Sequence, residues 1–185
     1  LSDIKSTSEI IELITFICKK AKNNLSKSRL HLDSIYEYRY NKAIHDAIAF
    51  AIENEQIELF LQPIYCKKSN QFNSAEALCR IKTKQFGYIS PSVFIPFAER
   101  KGLINQLSLT MINKVCNYLC DEKMPSSFKN ISVNLSVIDC LDPTFPNKII
   151  NILKKYNINN NQISFEVTES TASNAPHLEK TMKLL

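Results

Sequence analysis

Glycine is nearly missing: 185 residues contain only Gly87 and Gly102. A phosphate-cradling GxxxxGK(S/T) loop and a GxGxxG dinucleotide turn both need glycines close together, so neither is present. Collagen-like, glycine-linker and low-complexity classes fall for the same reason. Six cysteines form no CxxC pair, and His31, His45 and His177 lie far apart. A thiolate or imidazole zinc site is therefore not supported. Without a visible signal peptide, the six thiols read as reduced and mostly buried in a reducing cytoplasm. No apolar run reaches the roughly 20 residues that span a bilayer. The stretch 10–18 is apolar but short, and Glu12 interrupts it. The chain opens on Leu1 and stops inside a helical pattern. The expectation is a piece of a longer cytoplasmic protein, with an upstream membrane anchor left open.

What is present suits a globular α/β protein. With 44% hydrophobic and 22% charged residues, one domain plus a small appendage can build a core without staples. The net charge is +5. Its densest cluster, Lys19, Lys20, Lys22, Lys27 and Arg29, has no interleaved aromatics. That pattern is a solvated helix face and its exit, so no DNA or RNA partner is expected.

Periodicity predicts a helix over 7–22, with Ile10, Ile11, Ile14, Ile17 and Cys18 at helical spacing, then a polar linker over 23–35. A second helix is expected over 36–54, striped by Ala43, Ile44, Ala47, Ile48, Ala51 and Ile52. Strands follow at 57–65 and 74–81. Pro63 argues for an edge or end position in the first. Residues 84–90 read as a loop, Pro91 opens a helix to about 100, and a longer helix covers 103–120. Strand 129–135, helix 145–156, strand 162–168 and a last helix from Pro176 complete the alternation. Strands separated by helices predict βαβ units and a parallel sheet.

Three strands each carry an oxygen-bearing side chain among apolar neighbours. Glu76 lies opposite Ala75, Ala77 and Cys79; Asn134 opposite Ile131, Val133 and Leu135; Glu166 opposite Phe165 and Val167. In a parallel barrel the apolar sets face the helices and the polar sets face the axis. Buried carboxylates need a partner, and a hard divalent cation such as Mg2+ or Mn2+ suits carboxylate and amide oxygens. The pattern alone is equally consistent with an ordinary Glu76–Arg80 ion pair and Asn134 as a satisfied turn residue. What weighs toward a site is that successive strands contribute one ligand each, near the strand ends where barrel sites gather.

Glu76-Ala77-Leu78-Cys79-Arg80 resembles the signature of the EAL domain, the cyclic-di-GMP phosphodiesterase family. The likeness extends to Gln62-Pro63-Ile64, to Ile89-Ser90-Pro91 with Phe94-Ile95-Pro96, Ala98-Glu99 and Gly102-Leu103-Ile104, to Ser132-Val133-Asn134-Leu135-Ser136, and to Glu166-Val167-Thr168-Glu169-Ser170. These blocks occur in family order over residues 40–185. The resemblance implies a TIM-like (β/α)8 barrel with an antiparallel first strand, here truncated to about four strands and preceded by a helical segment. It implies metal ligands Glu76, Asn134 and Glu166, with Glu76 and Glu169 as the catalytic glutamates, Glu169 holding an active-site loop. Gln62 and Arg80 match residues that touch the dinucleotide, where an arginine fork suits phosphate oxygens. The implied reaction is Mg2+- or Mn2+-dependent hydrolysis of cyclic-di-GMP to pGpG.

Residues 1–35 resemble the tail and linker of a preceding GGDEF domain, and 36–185 an EAL domain incomplete at its C-terminus. The implied partners are cyclic-di-GMP, an upstream sensor or GGDEF domain, and a second copy in a homodimer. The family's later Asp-Asp pair, lysine and further glutamate have no counterpart before Leu185, and a full barrel takes roughly 250 residues. The chain alone is therefore expected to be inactive. The alternative is an inactive EAL domain that binds cyclic-di-GMP or a protein partner.

Overall fold

A computed structural model describes residues 7–23, 32–121, 128 and 130–167. Glu169, Thr168, the helix expected from Pro176 and most of the expected linker lie outside the described residues. The chain divides into two compact units between Ala47 and Ile48.

The first unit holds α1 (Thr7–Asn23) and the greater part of α2 (Leu32–Glu53). Its helices meet through Phe16 and Tyr38, whose ring centroids lie 5.8 Å apart. The Tyr38 hydroxyl donates to Glu12 Oε2 at 2.9 Å. Burial first, and then the Glu12 carboxylate, push the Tyr38 phenol up to about 12. The helix expected over 7–22 is present as α1. Ile10, Ile11 and Ile14 are exposed, and Leu13 is buried. The spacing fixed the helical period but not which side of it meets a neighbour.

The second unit is a mixed sheet covered on one face by helices. β1 (Ile57–Cys66) and β2 (Gln71–Thr83) form an antiparallel hairpin with a bulge at Ile64/Tyr65. β3 (Gly87–Ile89) folds back onto the end of β2, so the expected loop at 84–90 contains a short strand. Gly87 makes this possible: its φ of 64° is left-handed, a conformation that costs glycine least. α3 (Pro91–Lys101) starts on Pro91, and Gly102 ends it at φ 70°, donating its N–H to Ala98 and Glu99 carbonyls. α4 (Ile104–Leu119) completes the crossover to β4 (Asn130–Leu135), which pairs parallel with β2. α5 (Val137–Leu141), α6 (Phe145–Lys155) and β5 (Ile163–Val167) follow, β5 parallel to β4. The strand order is β1-β2-β4-β5 with β3 beside β2. β1 is antiparallel and terminal in that order, where the missing N–H of Pro63 is tolerated.

Ala75, Ala77, Ile81, Ile131, Val133 and Leu135 are buried on one sheet face. Against that layer lies α4, which touches α3, α5, α6, β1, β2 and β4 and buries Leu107, Met111, Ile112 and Val115. Each such side chain contributes about 1.5–3 kcal/mol on leaving water. Phe94 on α3 and Phe145 on α6 are fully buried and seat the flanking helices. In α2, Ile48, Ala51 and Ile52 are buried as their stripe predicts.

Of the six cysteines only Cys116 and Cys140 are buried, fewer than expected. Cys66 sits at the tip of the β1–β2 hairpin. The Ser69 hydroxyl, with backbone N–H groups of Ser69 and Lys68, lowers its thiol to about 7. Burial pushes Cys79 up to about 12 and Cys116 to about 11. Thiolate is the nucleophile, so iodoacetamide at pH 7.5 is expected to alkylate Cys66 well ahead of Cys79 and Cys116. Peptide mass mapping over a time course checks this; labelling of Cys79 first in the folded protein would refute it.

Candidate functional site

The β1–β2 hairpin sets Gln62 directly across from Glu76. On the other side of β2, Glu76 is level with Ser132 of β4, and Asn134 is level with Glu166 of β5. Register neighbours share a face, so Gln62, Glu76, Ser132, Asn134, Ser164 and Glu166 all stand on the side away from α4. Sequence alternation placed Glu76, Asn134 and Glu166 on one common face, and the sheet brings them there. Asn134 Nδ2 donates to Glu76 Oε1 at 2.6 Å. Asn134 is thus a strand residue bonded across to β2, not a turn residue.

The ordinary ion pair between Glu76 and Arg80 does not form. Arg80 Nη1 donates to the Cys79 carbonyl at 2.8 Å, and its guanidinium lies 5.7 Å from the Phe60 ring centroid. Glu76 is half-buried, while Asn134 and Glu166 are exposed. The polar face is therefore open in this chain, unlike the enclosed axis expected for a barrel.

The donor set consists of two carboxylates and an amide oxygen from three adjacent strands, a composition that hard divalent cations take. On the same face, the Ser132 hydroxyl is buried without a hydrogen-bond partner, an orphaned polar atom between Glu76 and Ser164. These residues fit Mg2+ or Mn2+ as a partial shell. Six-coordinate ions need further oxygens from water, substrate or other side chains. Among the described residues, no three His, Cys, Asp or Glu side chains cluster.

The β2–β4 ladder stops at Ala77↔Val133. Beyond it the strands part over a cavity of about 410 Å³, lined by Glu76, Arg80, Asn134, Glu99, Leu107 and Ser136, among others. At the cavity edge, Ser136 caps α5. Its N–H donates to Asp139 Oδ2 at 3.0 Å, its hydroxyl accepts from Ile138 N–H at 3.2 Å, and the hydroxyl donates to Glu99 Oε1 at 2.6 Å. Asp139 Oδ2 also accepts from Ser108 at 2.6 Å. α5 and Asp139 escaped sequence reading because five residues are too few for a periodic signal. The Ser136-x-x-Asp139 spacing, a capping-box pattern with Asp in place of Glu, was the available clue.

Asp139 is fully buried, and its Oδ1 has no partner. Burial raises its carboxyl above the ordinary range, against the lowering effect of the Ser108 and Ser136 hydrogen bonds. A carboxyl with a folded-state pKa above its unfolded value of about 3.9 favours the fold in acid. That advantage is lost as pH rises toward the raised value. Asp139→Asn keeps an acceptor for Ser108 and Ser136 and removes the titration. The variant is expected to gain on the parent as pH climbs above about 4, with Tm at pH 7 higher by about 3 °C per kcal/mol regained. Urea melts at pH 4 and pH 7 check this, and a parent–variant difference independent of pH would refute it.

An EAL domain family model matches residues 45–185. The chain is 34% identical over 121 residues to the probable cyclic di-GMP phosphodiesterase PdeG of Escherichia coli K12, covering 64% of this chain and 24% of that protein. It is 29% identical over 126 residues to the E. coli cyclic di-GMP phosphodiesterase PdeL, covering 67% and 34%. Among solved structures, the PaMucR phosphodiesterase in complex with c-di-GMP aligns with TM-score 0.65 at 28% identity, covering 77% of this chain and 60% of that one. The chain spans about a quarter to a third of the length of these two curated relatives. Among the described residues no helix is long and apolar enough to cross a membrane.

Proposed function

The chain belongs to the EAL domain family, and we propose that it is the N-terminal part of a metal-dependent cyclic-di-GMP phosphodiesterase acting in bacterial second-messenger signalling. The observation that carries the reading is the meeting of Glu76 and Asn134 at 2.6 Å, with Glu166 level with Asn134 on the next strand. In this reading the described strands are the first part of a TIM-like barrel whose remaining strands close the open polar face. Residues 1–35 belong to a preceding GGDEF-type domain and 36–185 to the EAL domain, in a cytoplasmic region of a protein that pairs with a second copy.

Water adds to one phosphorus of cyclic-di-GMP, the bond to the 3′ oxygen breaks, and that oxygen leaves with a proton to give linear pGpG. Glu76, Asn134 and Glu166 would hold Mg2+ or Mn2+. When bound, the ion supplies positive charge that acidifies water and offsets charge building on phosphate oxygens. The Arg80 fork leaves the Cys79 carbonyl to pair with non-bridging phosphate oxygens. Gln62, exposed opposite Glu76, offers an amide to the dinucleotide. Glu169, by its match to the family motif, is assigned as the glutamate that holds an active-site loop.

The test incubates the protein, carrying its complete EAL domain, with cyclic-di-GMP and Mg2+ or Mn2+, and resolves products by chromatography. Accumulation of pGpG that stops on chelation is the expected result. Tight binding without turnover would replace this reading with that of a binding module. Absence of both in a folded sample would overturn it.

A further inference from the structure

We infer that Glu99 and Asp139 are positioning residues that hold the Asn134 amide against Glu76 by clamping Ser136, an inference that rests on the reading of Asn134 as a metal ligand. Asn134 lies one residue past the last β2–β4 pair, Ala77↔Val133. On the β2 side, no ladder bond fixes its distance from Glu76. Its neighbour on the other side, β5, is paired through Glu166 and Val167 and carries β4 along with it. Something other than the β2 ladder must therefore set the gap that Asn134 bridges.

Ser136 supplies it from two residues away. Its hydroxyl is held by Glu99 of α3 at 2.6 Å and its backbone N–H by Asp139 of α5 at 3.0 Å. Asp139 is in turn fixed by Ser108 of α4 at 2.6 Å. The end of β4 is thus tied to both crossover helices, which follow directly from β2 and β3. Hydrogen bonds to charged acceptors are among the stronger ones, and this network sits at the wall of the cavity where the strands part. Outer partners that orient a ligating side chain are worth about 10–100-fold in metal affinity when removed.

The test has two readouts. In metal-free protein, the side-chain amide NMR signals of Asn134, assigned by their loss in Asn134→Asp, report its contact with Glu76. Glu99→Ala and Ser136→Ala are expected to shift these signals and narrow the separation of the two amide protons. Glu99→Gln, which keeps an acceptor for Ser136, is expected to retain them. In the second readout, titration with Mn2+ alone, followed by the free-ion EPR signal, is expected to give about tenfold weaker binding in Glu99→Ala, restored in Glu99→Gln. Unmoved Asn134 signals in both alanine variants, unchanged Mn2+ affinity, or failure of Glu99→Gln to rescue overturns the inference. Should Glu99→Ala fail to fold, Ser136→Ala deletes a single oxygen and decides alone. A parent protein that binds no Mn2+ defeats the metal reading of the site, while the Asn134 signals still decide whether the clamp sets that side chain.

Discussion

Glu76→Ala is expected to reduce metal-dependent turnover of cyclic-di-GMP at least about a thousandfold, on the order of 4 kcal/mol of barrier. Glu76 stands at the centre of the polar face, level with Gln62 on one side and Ser132 on the other. It is also the acceptor for Asn134, so its removal deletes one oxygen donor and frees a second. The effect should exceed that of any outer partner. The fold should survive, because the side chain is only half-buried on the open face and the helices pack on the opposite one. Glu76→Gln separates charge from shape: an amide still meets Asn134 but brings no negative charge. It is expected to remain severely impaired. Steady-state assays of both variants beside the parent, with melting temperatures as a control, decide the matter. Turnover in Glu76→Ala within tenfold of the parent would falsify the assignment.

Arg80→Ala is expected to raise KM for cyclic-di-GMP about 30–100-fold, corresponding to roughly 2–3 kcal/mol for hydrogen bonds to a charged group. In the structure its guanidinium rests on the Cys79 carbonyl and beside the Phe60 ring. Those contacts hold the fork past Ala77, where β2 keeps its pairing with β1 but has left β4, on the rim of the cavity. Glu58 stands directly across from Arg80 on β1, where its carboxylate accepts from the Tyr88 hydroxyl at 2.9 Å. Arg80→Lys keeps the charge but loses the planar pair of donors, so it should recover only part of the affinity. A kcat that collapses while KM stays constant would move Arg80 from substrate binding to another role.

Much of the site was legible because strand alternation has period two. One glance at 74–81 and 129–135 separates Glu76 and Asn134 from the apolar residues that face α4, and the sheet confirms the faces. The level pairing of Asn134 with Glu166 was not legible, since register depends on where the crossovers land. The Glu76–Arg80 ion pair runs against strand geometry: four residues along β2 span about 13 Å, and Arg80 turns instead to the Cys79 carbonyl and the Phe60 ring. The apolar residues of α1 marked its helical period, but which of them meets a neighbour was not legible, because period says nothing about which face is covered. β3 and α5 were missed for want of length, although Gly87 and the Ser136–Asp139 spacing each carried a local signal. Asp139 was not singled out in the sequence, and it is the packing of α4, through Ser108, that makes it an interior acid.

The pair Glu76–Asn134 joins residues 58 positions apart in the chain, whereas Gln62, Glu76 and Arg80 share one hairpin. Local hairpins close on the order of microseconds, while distant parallel pairings wait for the intervening chain to condense. The hairpin part of the polar face, with Gln62, Glu76 and Arg80, should therefore take shape early in folding, and the Glu76–Asn134 meeting only once α3 and α4 have docked. Refolding followed by a probe on the hairpin should run ahead of recovery of Mn2+ uptake, so that under the proposed function the residues meant for the nucleotide are in place before those meant for the ion.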